Sequence, residues 1–316
     1  MKSLEKSIIL IAPTAKNSSL HIRKKYQELK KGAHDFNMSN VDVLYAFFPA
    51  SLIIMNCRHL IIRESISLYP FLLLLTVLSK TYYLEINGDP IPGTKLPYIF
   101  KNFLSLLRKL FFKLNHKANI IAYSKSEAKV LPRKKYVLTC NVTSQSLNNK
   151  TLPRKKSVVM LIGLNSSYHG LNKLEILAKH FHDYTFHIFG ANESLNMSNI
   201  FFYDYQDSEL IFKNYDFGYA IGSLNYKAKK NNIRDNSSLK GVMYHQNDLP
   251  FIQSYEENFC ASKFVLNIPT FAGIKNELES IENFFYYWKN RNLTQSDLDV
   301  FLPIHFWHRI NKFEGN

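Results

Sequence analysis

Residues 235–252, Asp235-Asn236-Ser237-Ser238-Leu239-Lys240-Gly241-Val242-Met243-Tyr244-His245-Gln246-Asn247-Asp248-Leu249-Pro250-Phe251-Ile252, read as a short loop, a two-turn helix, a break at Asn247–Asp248 and a buried strand. Ser237 or Ser238 opens the helix, because a serine hydroxyl accepts hydrogen bonds from first-turn N–H groups that have no intrahelical partner. Those N–H groups, the positive end of the helix dipole and Lys240 beside them suit an anion such as a phosphate. Asp235, just outside the helix, is placed to accept hydrogen bonds from sugar hydroxyls. An anion site with an acidic group beside it suggests a nucleotide-sugar pocket. An ordinary capped helix packed on a sheet is the alternative reading.

Outward from this stretch, apolar runs of strand length alternate with helical periods, the pattern of parallel sheets covered on both faces. Strands are expected at Ser7–Ala12, Val41–Phe47, Leu60–Arg63, Tyr82–Ile86, Asn119–Tyr123 and Tyr136–Thr139, with helices at His21–Lys31, Pro70–Ser79, Tyr98–His116 and Ser126–Val130. Residues 141–156 are polar, carry Pro153 and the cluster Arg154-Lys155-Lys156, and read as a linker. The pattern then restarts with strands at Val158–Ile162, Thr185–Phe189, Phe217–Ala220 and Phe264–Ile268 and helices at Leu171–His180, near Ser208–Phe212 and at Ile274–Lys289. The expected domains are 1–145 and 157–300, with 301–316 as a segment that returns to the first.

Lys and Arg number 40 against 25 Asp and Glu, a net charge of +15, which favours phosphorylated ligands, anionic membrane surfaces or nucleic acid without choosing among them. No zinc-finger cysteines and no RNA-binding signature support the nucleic-acid reading, so no nucleic-acid partner is expected. Cys57, Cys140 and Cys260 are far apart, against a disulfide framework or a structural zinc site. The apolar run at Ile8–Pro13 is strand-length, too short for a signal-peptide core. The longest apolar run, Pro70–Ser79, is half of the roughly 20 residues that a spanning helix needs. A reducing cytoplasm is the expected compartment.

Asp216, Gly222-Ser223-Leu224, the basic loop Tyr226-Lys227-Ala228-Lys229-Lys230, Asp235, Ser237-Ser238-Leu239-Lys240, Tyr244 and Pro250-Phe251-Ile252 follow one another in an order that resembles a known pattern. It is the donor-site region of bacterial glycosyltransferases of the GT-B fold, glycosyltransferase family 4, particularly capsule and surface-polysaccharide members. Leu161-Ile162-Gly163, His169-Gly170-Leu171 and His187-Ile188-Phe189-Gly190 resemble the first strands and turns of its donor domain. Leu60-Ile61-Ile62-Arg63 and Leu84-Glu85-Ile86-Asn87-Gly88 resemble two strand ends on its acceptor side, and Trp307 sits where relatives carry a tryptophan in a returning C-terminal helix. The resemblance implies an α/β fold of two Rossmann-like domains facing a central cleft. It also implies transfer of a sugar, with retention and without a metal or other cofactor, from a nucleotide-diphosphate donor to a surface-polysaccharide or lipid-linked glycan.

In that scheme Gly163, His169, Gly170, Ser238, Leu239, Lys240 and Tyr244 bind the donor. Asp235 holds donor hydroxyls, while Asn87, with Arg63 and Gly88, faces the acceptor. Three positions depart from the family. Leu164 and His169 replace an arginine and a lysine that face the diphosphate, and Met243 replaces a glutamate that holds the donor ribose. Those departures keep a second expectation open, a catalytically degenerate GT-B protein acting as a membrane-associated partner in glycan assembly. Residues 100–117 interleave Leu and Phe with Lys101, Arg108, Lys109, Lys113 and Lys117. A basic amphipathic helix of this kind can lie on an anionic leaflet, which places the protein peripherally on the inner membrane face; a core-facing helix with a solvated basic back is the alternative.

Overall fold

A computed structural model describes residues 6–11, 20–35, 41–45, 57–86, 97–115, 117–123, 135–139, 155–161, 171–190, 195–204, 212, 215–220, 239–254, 262–268, 274–299 and 302–314. The chain forms two compact units, Met1–Val142 with Leu302–Asn316, and Thr143–Phe301.

The first unit carries strands β1 (Lys6–Ile11), β2 (Val41–Tyr45), β3 (Cys57–Arg63), β4 (Tyr82–Glu85), β5 (Ala118–Ala122) and β6 (Tyr136–Leu138). They form one parallel sheet in the order β2-β1-β3-β4-β5-β6. Its helices are α1 (Leu20–Asp35), α2 (Tyr69–Val77) and α3 (Tyr98–Leu114). Side chains alternate along a strand, so each strand feeds two cores. Ile8, Leu60, Ile62, Leu84 and Ile120 pack with Phe71, Leu72, Leu75 and Phe112 of α2 and α3. Ile9, Ile61, Tyr83 and Ile121 pack on the other face with Tyr26, Leu29 and Ala33 of α1 and with Phe306, Trp307 and Ile310.

The second unit carries β7 (Ser157–Leu161), α4 (Leu171–His180), β8 (Thr185–Phe189), β9 (Ile200–Tyr203), β10 (Phe217–Ala220), α5 (Leu239–Gln246), β11 (Phe251–Ser254), β12 (Val265–Ile268), α6 (Ile274–Lys289) and α7 (Gln295–Leu298). Its parallel sheet runs β12-β11-β10-β7-β8-β9. Counted within the unit, this is the order 3-2-1-4-5-6 of dinucleotide-binding sheets, read from β9 to β12. β9 has no counterpart among the expected strands. Ser126–Val130 lies outside the described residues, and of Ser208–Phe212 only Phe212 is described.

The last helix, α8 (Pro303–Glu314), belongs to the first unit. Trp307 is fully buried and its Nε1–H donates to the Leu29 carbonyl at 2.8 Å. Gly32 is there for contact, since a Cβ on it would run into Pro303 of α8.

Candidate functional site

In open α/β sheets a ligand sits outside the carboxyl ends of the strands, where strand order reverses. In the second unit that point lies between β7 and β10. Tyr244 of α5 closes it from one face: its hydroxyl accepts from the Leu161 N–H at 3.1 Å and donates to the Tyr219 carbonyl at 3.0 Å. One phenol thus fixes the last residue of β7 against the end of β10, the two strands that residues 162–170 and 221–238 follow in sequence. The ring lies over Gly218, where any Cβ would clash with it. Gly241, one turn from the start of α5, meets the Phe251 ring in the same way, with a hypothetical Cβ 2.7 Å from Cε2.

The helix starts at Leu239, so Ser238 takes the position immediately before its first residue. Its end is fixed as well. Leu249 N–H bonds the Tyr244 carbonyl at 3.0 Å and Asp248 N–H bonds that of His245 at 3.1 Å, with Asp248 left-handed at φ 56°. This is a Schellman ending, which a glycine ordinarily supplies; Pro250 then prevents continuation. At the carboxyl end of the neighbouring β11, Gln253 donates from Nε2 to Asn267 at 2.8 Å. That bond leaves its buried Oε1 without a partner among the described residues, an acceptor suited to a ligand donor.

Asp235, Asn87, Gly88, Gly163, His169, Gly170 and Ser238 lie outside the described residues, and Leu239 and Lys240 are described through their backbone alone. Tyr244 and Arg63 are described in full. The expected donor contact of Tyr244 is not where the phenol goes: the side chain is wholly buried and its hydroxyl is committed to two backbone groups. Met243 is 5% exposed. Asp216 sits at the amino end of β10, where its Oδ2 accepts from the Ser157 N–H at 3.1 Å and from Ser157 Oγ at 2.9 Å. It is therefore a strand-to-strand tie at the far end of the sheet from the carboxyl edge.

The first unit gathers a charged cluster at the carboxyl edge of β3, β4 and β5, beside its own reversal point between β1 and β3. Arg63 and Glu85 end β3 and β4 and Tyr123 follows β5, all on the face that α1 covers, and α1 adds Lys25 and Tyr26. Glu85 is the hub. Its Oε1 takes Lys25 Nζ at 2.7 Å and the Tyr123 hydroxyl at 2.8 Å, and its Oε2 takes the Tyr26 hydroxyl at 2.5 Å. Arg63 Nη1 lies 3.6 Å from Glu85 Oε1 and 3.4 Å from the Tyr26 oxygen. Burial pushes the Glu85 carboxyl up, but Lys25 and Arg63 outweigh it and hold it down at about 2. Burial and then the Glu85 charge raise both phenols well above their usual range, so Tyr26 and Tyr123 remain neutral donors. Nothing in the local sequence joins these five residues; parallel register brings them together.

On the opposite face of the same edge, Arg108 of α3 makes a two-pronged pair with Glu64, Nε to Oε1 at 2.6 Å and Nη2 to Oε2 at 2.8 Å, and the Tyr69 hydroxyl adds a bond of 2.8 Å to Oε1. Arg108, expected among the basic residues of a leaflet-facing helix, is instead the buried anchor of α3. The apolar side chains go the other way: Ile99, Phe103, Leu106, Leu110 and Leu114 are 79%, 56%, 64%, 47% and 62% exposed. Their spacing places them on one stripe of the helix. Leu73, Val77 and Leu78 around the end of α2 are exposed too. Among the described residues no helix is long and apolar enough to cross a membrane.

No protein-family model matches the sequence, and no curated protein does. Solved structures with a similar fold include the pneumococcal O-GlcNAc transferase GtfA in complex with UDP and GlcNAc, at 14% identity and TM-score 0.41 over 80% of this chain and 53% of that one. Others are the spinosyn forosaminyltransferase SpnP, at 8% identity and TM-score 0.47 over 99% of this chain and 100% of that one, and MurG of Acinetobacter baumannii, at 9% and 0.43 over 98% and 99%. The chain spans about half the length of the pneumococcal protein.

Proposed function

We propose that the protein is a GT-B-type glycosyltransferase that moves a hexose-type sugar from a nucleotide-diphosphate donor to a surface-polysaccharide or lipid-linked glycan. The observation that carries this is the placement of α5. A two-turn helix preceded by Ser238 is clamped by Tyr244 onto the strand-order reversal of a dinucleotide-type sheet. The motif running from Asp216 to Ile252 supports the same reading. In the proposed scheme the helix N-terminus, Lys240 and His169 stabilise the departing diphosphate. Gly163 and Gly170 let the loop backbone approach it, Asp235 holds sugar hydroxyls, and Asn87, Gly88 and Arg63 face the acceptor. The transfer retains configuration and uses neither a metal nor another cofactor.

A panel of nucleotide sugars tested for protection against thermal unfolding checks the donor. A ligand at a hundred times its Kd stabilises the folded protein by about 2.7 kcal/mol. UDP or GDP with the matching sugar is expected to protect, and Lys240→Ala to abolish that protection at an unchanged unliganded midpoint. Full donor affinity in the variant would remove Lys240 from the phosphate site. The buried methionine at 243, which offers no strong acceptor for a ribose, favours the second reading, a degenerate partner protein in glycan assembly. Failure of both UDP and GDP to bind at millimolar concentration selects it.

The outward apolar stripe of α3, flanked by Lys101, Lys109 and Lys113, is proposed to rest on an anionic leaflet, peripherally on the inner face of the cell membrane. Each lysine near such a surface contributes about 1 kcal/mol. Reversing all three to glutamate is expected to weaken co-sedimentation with phosphatidylglycerol vesicles by at least about tenfold. Equal sedimentation of wild type with neutral phosphatidylcholine vesicles counts against the electrostatic part.

A further inference from the structure

We infer that Arg63 is the binding group of an oxyanion site in the first unit, and that the site takes a phosphate ester carried by the acceptor. The identity of the ligand as acceptor rests on the transferase reading; the anion site itself does not. Three observations lead to it. First, Arg63 ends β3 on the carboxyl edge of the sheet, beside the β1–β3 reversal where a doubly wound sheet receives its ligand. Second, the carboxylate beside Arg63 is already engaged: Glu85 takes Lys25, Tyr26 and Tyr123 at 2.5–2.8 Å, and Arg63 reaches it only at 3.6 Å. A guanidinium held this loosely by its own carboxylate keeps donors for an added anion.

Third, Arg63 is the member of the cluster that reaches outward. Lys25 and Glu85 side chains are 1% and 0% exposed, whereas that of Arg63 keeps 15%. Only its Nη1 touches protein polar atoms among the described residues, at 3.4 Å and 3.6 Å. Nε and Nη2 remain, and they form the edge of the guanidinium that pairs in parallel with two phosphate oxygens. Glu85 and Tyr26 are positioning residues here: they fix the plane of the guanidinium before the ligand arrives, so little side-chain entropy is lost on binding. Burial opposes the Arg63 charge, but Tyr26 and Glu85 more than restore it, and the group stays cationic at every working pH.

Thermal protection and calorimetric titration of the full chain test this with three probes: inorganic phosphate, geranyl phosphate and geraniol. Both phosphates are expected to protect, geranyl phosphate more strongly, and geraniol not at all. Arg63→Gln is expected to weaken geranyl phosphate binding at least about tenfold. In the same samples UDP protection is expected to be unchanged, because the donor site belongs to the other unit. Equal protection by geraniol, or full phosphate affinity in Arg63→Gln, overturns the site. Protection by inorganic phosphate alone overturns the ester assignment. Loss of UDP protection in wild type with phosphate binding intact would instead sink the transferase reading and leave the anion site standing. Should Arg63→Gln fail to fold, Arg63→Lys decides: lysine keeps the charge but lacks the fork, so unchanged affinity for geranyl phosphate overturns the proposal.

Discussion

Glu85→Ala is expected to destabilise the first unit by about 3–5 kcal/mol, the scale for removing one partner of a buried ion pair. The reason is what the carboxylate leaves behind. Lys25 Nζ, the Tyr26 and Tyr123 hydroxyls and the Arg63 guanidinium all turn to this one group, and water does not reach most of them. At about 2–4 °C per kcal/mol for units of this size, the midpoint should fall by about 10 °C. Fluorescence separates the units, since each contains one of the two tryptophans, Trp307 in the first and Trp288 in the second. The Trp307 transition should move and the Trp288 transition should stay. A pH titration reads the same interaction. The folded Glu85 carboxyl sits at about 2, below its ordinary 4.5. Its contribution, about 3 kcal/mol, is therefore complete above pH about 4.5 and drains away as pH falls toward 2. A flat stability between those limits would show the cluster to be energetically idle.

Gly218→Ala is the second large effect, expected at about 3 kcal/mol in the second unit. The added Cβ enters the ring of Tyr244, and rings cannot bend aside as an alkyl tip can. Tyr244 is held on two sides by the Leu161 N–H and the Tyr219 carbonyl, so it moves only by breaking those bonds or by shifting α5. Either response disturbs the junction from which the proposed donor loops spring. The variant should accordingly lose nucleotide-sugar protection even at temperatures where it remains folded, checked by calorimetric titration at 15 °C. Normal donor affinity in a folded Gly218→Ala protein would separate α5 from the donor site.

The run Val158–Leu161 was legible because continuous burial leaves a continuous apolar record, and Thr185–Phe189 because buried Phe186, Ile188 and Phe189 stand among half-buried Thr185 and His187. The break after α5 was legible because Asn247-Asp248-Leu249-Pro250 spells an ending. β9 was not: four residues at a sheet edge, with Phe201 and Tyr203 partly exposed, give too short a period to count. The Glu85 cluster was invisible for a different reason. Lys25 lies in the expected helix His21–Lys31 and Glu85 in the expected strand Tyr82–Ile86, 60 residues further on. Only the registers Ile61↔Tyr83 and Leu84↔Ile120 bring their neighbourhoods together. Arg108 misled in the same way, since its partner Glu64 lies 44 residues away. Of the expected binding residues, Asp235, Asn87, Gly163, His169 and Gly170 lie outside the described residues, so their roles rest on the motif.

Because α8 completes the core under α1, the first unit is assembled from two distant parts of the polypeptide. During vectorial synthesis the second unit, contiguous in the chain, is fully extruded while the first still lacks Phe306, Trp307 and Ile310. The amino-terminal half must therefore wait, with one flank of its sheet unsealed, until the ribosome has delivered those last turns. A lesion near residue 303 is felt at Gly32, in α1.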